Sequence, residues 1–387
     1  MRLRLHPRHR IDASWGDAVF ALVAGVRPRT ALPAALPAAD GPLVAVSVRS
    51  AFHLLLDAAR WAPGDEVLMS AVTHPDMVRI VERRGLRPVP VDVEPDTLAV
   101  GLYALEAAVA SAPRARALVV AHLFGARVDL DAAVEVARRH GLLLVEDCAQ
   151  SIRGPDDGGD PRADVSLFSF GFIKTATALG GALAVVRDPQ LAAAMAKRHD
   201  AWPVQSGRAY AGRALRCLAA LALSRPLAYG LVCRVIGDPG PLVRSSPPSG
   251  DAEFAVWLER RPCPALVATL RRRRRRFPSD RLRRRAEAGD ELARAVDAAT
   301  LERPGWAVES SHWLFPVIAA DPDGLIAALR AAGFDAARGT SQIAAVEPAP
   351  PVARRMMEGI VFLPAYPELG RAERGRLAAY LAAVPPR

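Results

Sequence analysis

From residue 42 onward, short apolar runs alternate with longer stretches whose apolar positions recur at helical spacing. This pattern predicts strands over 44–48, 66–69, 88–93, 117–121, 142–145, 165–170 and 182–186, and helices over 50–62, 75–84, 103–112 and 129–140. Strands alternating with helices of this length predict an α/β fold with a mostly parallel sheet covered on both faces. Ligands of such sheets sit at the carboxyl ends of the strands. After residue 200 the rhythm changes. Residues 209–236 are rich in Leu and Ala and break at Ser224-Arg225-Pro226, which predicts two short amphipathic helices; 237–250 is a Pro/Gly/Ser-rich linker. An α/β rhythm returns with strands expected over 312–319 and 361–363 and helices over 322–332 and 371–383. The chain thus divides into an N-terminal arm (1–41), a large domain (42–205), a helical and arginine-rich connector (206–300) and a smaller C-terminal α/β domain (301–387).

Composition agrees with a folded chain: of 387 residues, 51% are hydrophobic and 24% charged. The net charge of +10 has a local origin. Between Arg260 and Arg285 there are twelve arginines against the single acid Asp280, and the remainder is close to neutral. Two readings of this run stand side by side: a solvated basic helix, or, together with 209–236, attachment to an anionic membrane surface. Nucleic acid is the least supported partner, because only Trp257 and Phe277 interleave with the arginines and no DNA-binding motif is present. The start lacks the apolar core of a secretory signal, and no apolar run is long enough for a spanning helix. Cys148, Cys217, Cys233 and Cys263 are far apart, without metal or redox spacing, and read as buried thiols of a reducing cytoplasm, with no metal expected. The expected location is therefore cytoplasmic, with peripheral membrane contact through 209–285.

Against this background of arginine, Lys174 stands out, since Lys197 is the only other lysine. An amine can lose its proton and attack a carbonyl, which a guanidinium in a protein does not. One βα step earlier, the apolar run at 142–145 ends in Glu146-Asp147. A lysine paired with a carboxylate is the set that pyridoxal phosphate (PLP) requires: the lysine for the Schiff base, the acid for the pyridine nitrogen.

Five segments extend this reading: Pro63-Gly64-Asp65-Glu66-Val67, Pro88-Val89-Pro90-Val91-Asp92, His122-Leu123-Phe124-Gly125, Glu146-Asp147-Cys148-Ala149-Gln150, and Phe168-Ser169-Phe170 leading to Lys174. In this register, residues 44–186 resemble the large domain of the DegT/DnrJ/EryC1/StrS family of PLP-dependent sugar aminotransferases, of fold type I. The resemblance implies Lys174 as the residue that forms the Schiff base, Asp147 on the pyridine nitrogen, Gln150 beside the ring, Ser169 on the phosphate and His74 stacked on the ring face. It also implies a homodimer, an amino-acid donor such as glutamate or glutamine, and a keto acceptor on a nucleotide-linked or lipid-linked sugar.

Three segments depart from the family. Val48-Arg49-Ser50 replaces Gly-Thr before the phosphate-cradling helix, so Arg49 and Ser50 are expected to serve the phosphate with that helix's amides. The loop from Thr175 to Gly181 lacks the family's Asn and acidic turn, and is expected near the substrate. The His-Tyr segment of the small domain is not recognisable around 333–341, where Arg338 is a candidate anchor for an anion. Alternatives remain open at this point: a binding or regulatory protein with an altered pocket, or a lyase or dehydratase using the same cofactor.

Overall fold

A computed structural model describes residues 4–27, 41–237, 249–297, 301–338 and 343–382. Its centre is a seven-stranded sheet of β1 (Leu43–Ala45), β2 (Glu66–Ser70), β4 (Arg87–Val91), β5 (Ala115–Ala121), β6 (Leu143–Asp147), β7 (Val165–Ser169) and β8 (Ala182–Val186). The order across the sheet is β1-β8-β7-β6-β5-β2-β4, parallel from β7 to β4 and antiparallel at both junctions of β8. The middle strands are buried along almost their whole length because helices cover both faces, which is why they read as continuous apolar runs. One helix begins two residues earlier in its strand-helix turn than the pattern predicts. Ser47, extended at φ −164° and accepting at Oγ from the Ser50 amide (3.1 Å), caps Val48–Ala59.

The C-terminal part builds a second, antiparallel sheet from β9 (Phe315–Ile318), β10 (Ala337–Arg338) and β12 (Ile360–Leu363), in the order β10-β12-β9. The short β11 (Ala344–Ala345) pairs instead with β3 (Val72–Thr73), tying this part to the large sheet just beyond β2. The N-terminal residues are not a free arm. Leu5 and His6 donate their amides to Pro226 and Gly333, and a helix, Trp15–Val26, follows, started by a Ser14/Asp17 capping box. That helix packs through Ala18, Ala21 and Ala24 against Gly207–Leu223, which breaks by 110° before Pro226–Ile236. Gly25 is held so close to Ala211 that a Cβ there would lie 2.9 Å from the Ala211 Cβ. Most of the expected linker at 237–250, and residues 339–342 and 383, lie outside the described residues.

The arginine-rich segment forms helices Pro264–Arg275 and Ser279–Asp297, and the solvated-helix reading describes only part of it, since Arg275, Arg276, Arg283 and Arg284 are exposed while others are not. Arg273 and Arg285 are buried. Arg273 donates to the Asp17 carboxylate (2.5 Å), to the Asp12 carbonyl (2.6 Å) and to the Thr177 carbonyl (3.1 Å). Arg272 also pairs with Asp17, Arg281 with Glu368 and Asp12, and Arg274 donates to the Pro155 carbonyl. Much of the apparent patch is therefore internal cross-linking to acids that lie far away in sequence.

Candidate active site

A cavity of about 370 Å³ opens at the carboxyl edge of the large sheet. β6 delivers Asp147, with Gln150 in the turn behind it; β7 delivers Ser169; β2 and β3 lead to Thr73 and His74; β1 leads to Ser47, Val48 and Arg49. Lys174 follows β7 in a turn closed by its own amide on the Gly171 carbonyl (3.0 Å). Six of the seven residues expected at the cofactor thus line one cavity: Lys174, Asp147, Gln150, Ser169, His74 and Arg49. Ser50 does not. It is fully buried behind Ser47, whose Oγ lies 3.1 Å from its own, because the helix starts earlier and rotates Ser50 into the core.

The electrostatics suit carbonyl chemistry. Burial pulls the Lys174 amine down to about 7, opposed by the Asp147 carboxylate and assisted by Arg49, so much of it is neutral near pH 7. Its Nζ lies 3.7 Å from the centre of the Trp313 ring, whose indole N–H donates to the Ile173 carbonyl (3.1 Å). Burial raises Asp147 above the usual aspartate value against the pull of the Ala149 amide and Lys174. His74 is driven well below 6.5 by burial, then by Arg49 and Lys174, and so is neutral; its Nδ1 accepts from the Asp76 amide (3.1 Å). Arg49 pairs with Asp76 at 2.6 Å and lies over the Trp257 ring at 4.5 Å. It serves the cavity as part of this fixed wall rather than as a loose cation.

Beneath the cavity a buried network holds the end of β6. His122 accepts at Nδ1 from the Val128 amide, so its hydrogen is on Nε2 and is donated to Glu146 (3.1 Å). Burial alone would raise the Glu146 carboxyl, but His122 and Arg127 hold it at about 2. Cys148 approaches His122 and Glu146 closely enough for a metal-like trio. The Arg127 guanidinium, 2.8 Å from the Cys148 sulfur and paired with Asp157, supplies the positive charge there, and both imidazole nitrogens are engaged.

The lysine loop faces inward where a substrate-facing loop was expected. Thr175, Ala176, Thr177 and Ala178 are all buried, and only Leu179, Gly180 and Gly181 reach the cavity. Ala176 and Leu179 take left-handed backbone angles (φ 52° and 61°), which non-glycine residues keep only where surroundings hold them. Here the surroundings are Asp12, accepting the Ala176 amide (3.1 Å), Arg285 on Thr175 (2.9 Å), Arg273 on Thr177 and the Tyr210 hydroxyl on the Ala178 carbonyl (2.8 Å). Arg338 is corrected too: it is exposed, bonded to the Glu358 carbonyl and near Asp323, and does not line the cavity.

Several lining residues carry no signal in the local pattern. Gln205, Arg213, Arg216 and Arg260 form one wall, with Trp257 beside Arg49. The Gln205 amide oxygen accepts from Arg213 (2.9 Å). Burial, Arg216 and Arg260 depress the Arg213 guanidinium, and among the described residues none of the three arginines is paired with a carboxylate. Arg213 can come this close because Gly180 has no side chain: a Cβ there would lie 2.6 Å from its Nη1.

The fold is of the fold type I class, with a lysine and an aspartate brought together at the sheet's carboxyl edge. Residues 41–210 match the sequence profile of the DegT/DnrJ/EryC1/StrS aminotransferase family. Members of that family depend on PLP. Over 150 residues the chain is 37% identical to the GDP-perosamine synthase of Caulobacter vibrioides (strain ATCC 19089 / CIP 103742 / CB 15). That match spans 38% of this chain and only 39% of the relative. Among solved structures, AtS13 from Actinomadura melliaura superposes with a TM-score of 0.69 at 20% identity, covering 98% of this chain and 99% of that one. The sugar aminotransferase CalS13 from Micromonospora echinospora gives 0.60 at 22%, covering 97% and 93%. The likeness in fold therefore extends well beyond the segment that is alike in sequence.

Proposed function

We propose that this chain is a PLP-dependent aminotransferase that moves an amino group from an amino-acid donor, glutamate or glutamine, to a keto acceptor on a nucleotide-linked or lipid-linked sugar. The observation that carries the reading is the near-neutral Lys174 amine sharing one cavity with the buried Asp147 carboxylate. The remaining groups fit PLP. Ser169 and the first-turn amides behind Ser47 offer donors for its phosphate, by the geometry of any helix start. Asp147 would face the pyridine nitrogen, with His74 and Gln150 along the ring. When bound, the cofactor supplies an electron sink for the carbanion formed at the donor's Cα.

The chain's own residues do the rest. Lys174, half-neutral near pH 7, can take a proton from a neighbouring carbon and return it. Asp147, whose burial raises its carboxyl while the Ala149 amide and Lys174 favour the anion, would hold a positive charge on the group it faces. The Arg213, Arg216 and Arg260 wall suits an acceptor that carries phosphate, since guanidinium forks match its oxygens. The name of the curated relative, a GDP-perosamine synthase, supports an acceptor of the nucleotide-sugar kind. A homodimer working in the cytoplasm completes the reading, checked by light scattering and cell fractionation.

The test is spectroscopic. Wild-type protein incubated with PLP should gain absorbance at roughly 400–430 nm and lose it on adding glutamate, whereas Lys174→Arg should do neither. A wild-type protein that never gains the band overturns the proposal; one that gains it but ignores every amino donor leaves a cofactor-binding protein and not an aminotransferase.

A further inference from the structure

Three neighbouring helices carry exposed apolar side chains that the site does not use. On Trp15–Val26, the side chains of Trp15, Val19, Val23 and Val26 recur at intervals of four, four and three, and all are exposed. This helix lies against Gly207–Leu223, from which Leu215 projects outward, and the next helix, Pro226–Ile236, exposes Leu227, Leu231, Val235 and Ile236. Their relative exposures run from 40% at Val23 to 77% at Val235, on helices that turn Ala18, Ala21, Ala214 and Cys217 inward. Folded monomers rarely leave that much apolar surface grouped without a use.

Among the described residues of these three helices, the exposed charges are all positive. From residue 201 to 237 the chain has no Asp or Glu, while Arg208, Arg225 and Arg234 are exposed there and outside the cavity. In Trp15–Val26 the single acid, Asp17, is buried and paired with Arg272 and Arg273. Next to Pro226–Ile236 the acid Asp335 is also buried, where it accepts from the Tyr229 hydroxyl (2.7 Å) and pairs with Arg8 and Arg330. A second copy meeting this face about a two-fold axis would set arginines against arginines. An anionic lipid surface supplies both what the leucines and Trp15 need and what the arginines need, as for helices lying in a bilayer interface. Among the described residues no single helix is long and apolar enough to cross a membrane; Gly207–Leu223 and Pro226–Ile236 reach that length and composition only as a pair bent by 110°, a bend that lets both helices lie along a surface.

We propose that Trp15–Val26, Gly207–Leu223 and Pro226–Ile236 together form a docking face for the surface of an anionic bilayer. Within the arginine run at 260–285, Arg272, Arg273, Arg281 and Arg285 are bonded within the protein and so are not part of this face. Helix Gly207–Leu223 serves both sides. It turns Arg213 and Arg216 to the cavity and Leu215 outward, so docking would hold the cavity wall close to the lipid headgroups.

The test uses the full-length protein and sedimentation with vesicles of phosphatidylcholine alone or with about 30 mol% phosphatidylglycerol, an anionic content of the kind to which basic helices respond. Binding is expected to the anionic vesicles only and to weaken as salt is raised. Replacing both Leu227 and Leu231 by Asp should abolish it, and each of Arg208→Gln and Arg225→Gln should lower partitioning about fivefold. Leu102→Asp, at an exposed leucine on another helix, should leave it unchanged. Equal sedimentation of wild type with neutral and anionic vesicles, or of the double variant and wild type, overturns the proposal. So does a self-association that the same double substitution removes, since the occupant is then a second copy. Vesicle binding is read without cofactor or substrate, so it stands or falls separately from the transaminase reading.

Discussion

Arg273 and Arg225 come from two arginine-rich stretches that look alike in sequence, and the protein uses them in opposite ways. Arg273 is buried, with every donor group directed at Asp17, Asp12 or the Thr177 carbonyl, and it holds down the loop that follows Lys174. Arg225 is exposed at the break between two apolar helices. What separates them is where the acids are. Asp12 and Asp17 lie about 260 residues from Arg273 in sequence and reach it only because Trp15–Val26 folds back over Pro264–Arg275. No acid is near Arg225 in sequence, and Asp335, buried by the following helix, is taken by Arg8, Arg330 and Tyr229. A run of like charge therefore does not define a surface patch until its partners have been located.

The comparison can be tested from either end. The largest effect is expected for Arg273→Ala, which leaves Asp12 and Asp17 buried without their main partner and should cost about 3–5 kcal/mol, read from the urea midpoint. A loss below 1 kcal/mol would mean that the arginine is not the bolt described here. The next effect is on pH dependence. Because the folded Lys174 amine titrates near 7, its reaction with an amine-directed acylating reagent should fall off below that pH and level out above it. The unfolded lysine holds its proton to about 10.4, so between the two values the unfolded state binds the extra proton and stability rises with pH. Lys174→Met should flatten that rise. Arg285→Gln, which frees Thr175, should shift the labelling midpoint upward as water reaches the amine. The smallest effect belongs to the outward arginines: Arg208→Gln should change stability by less than about 0.5 kcal/mol.

The large sheet was legible because its strands are buried on both faces and its helices have one apolar stripe, so period and run length carry the information. The residues at its carboxyl edge were legible for a related reason: Asp147, Ser169, His74 and Lys174 each end or closely follow a strand, and topology then gathers them. Ser50 was misplaced because Ser47, three positions earlier, competed successfully for the cap. The helix at Trp15–Val26 had a readable signal, Ser14 followed three residues later by Asp17, that the arm reading passed over. Arg213 and Gln205, which line the cavity, and Trp313, which covers the Lys174 amine, had none, for they come from segments whose local pattern only says helix or loop. Nor did the sequence show that Thr175 to Ala178 turn inward, because that depends on Asp12, Arg273, Arg285 and Tyr210 arriving from elsewhere.

Trp313 has a further bearing on the amine. It belongs to the C-terminal part of the chain, yet its ring closes over the Lys174 amine while its N–H is tied to the Ile173 carbonyl in the large domain. The burial that lowers the Lys174 amine is therefore completed by a residue some 140 positions away. One indole links the packing of two distant stretches of chain to the protonation of a single amine.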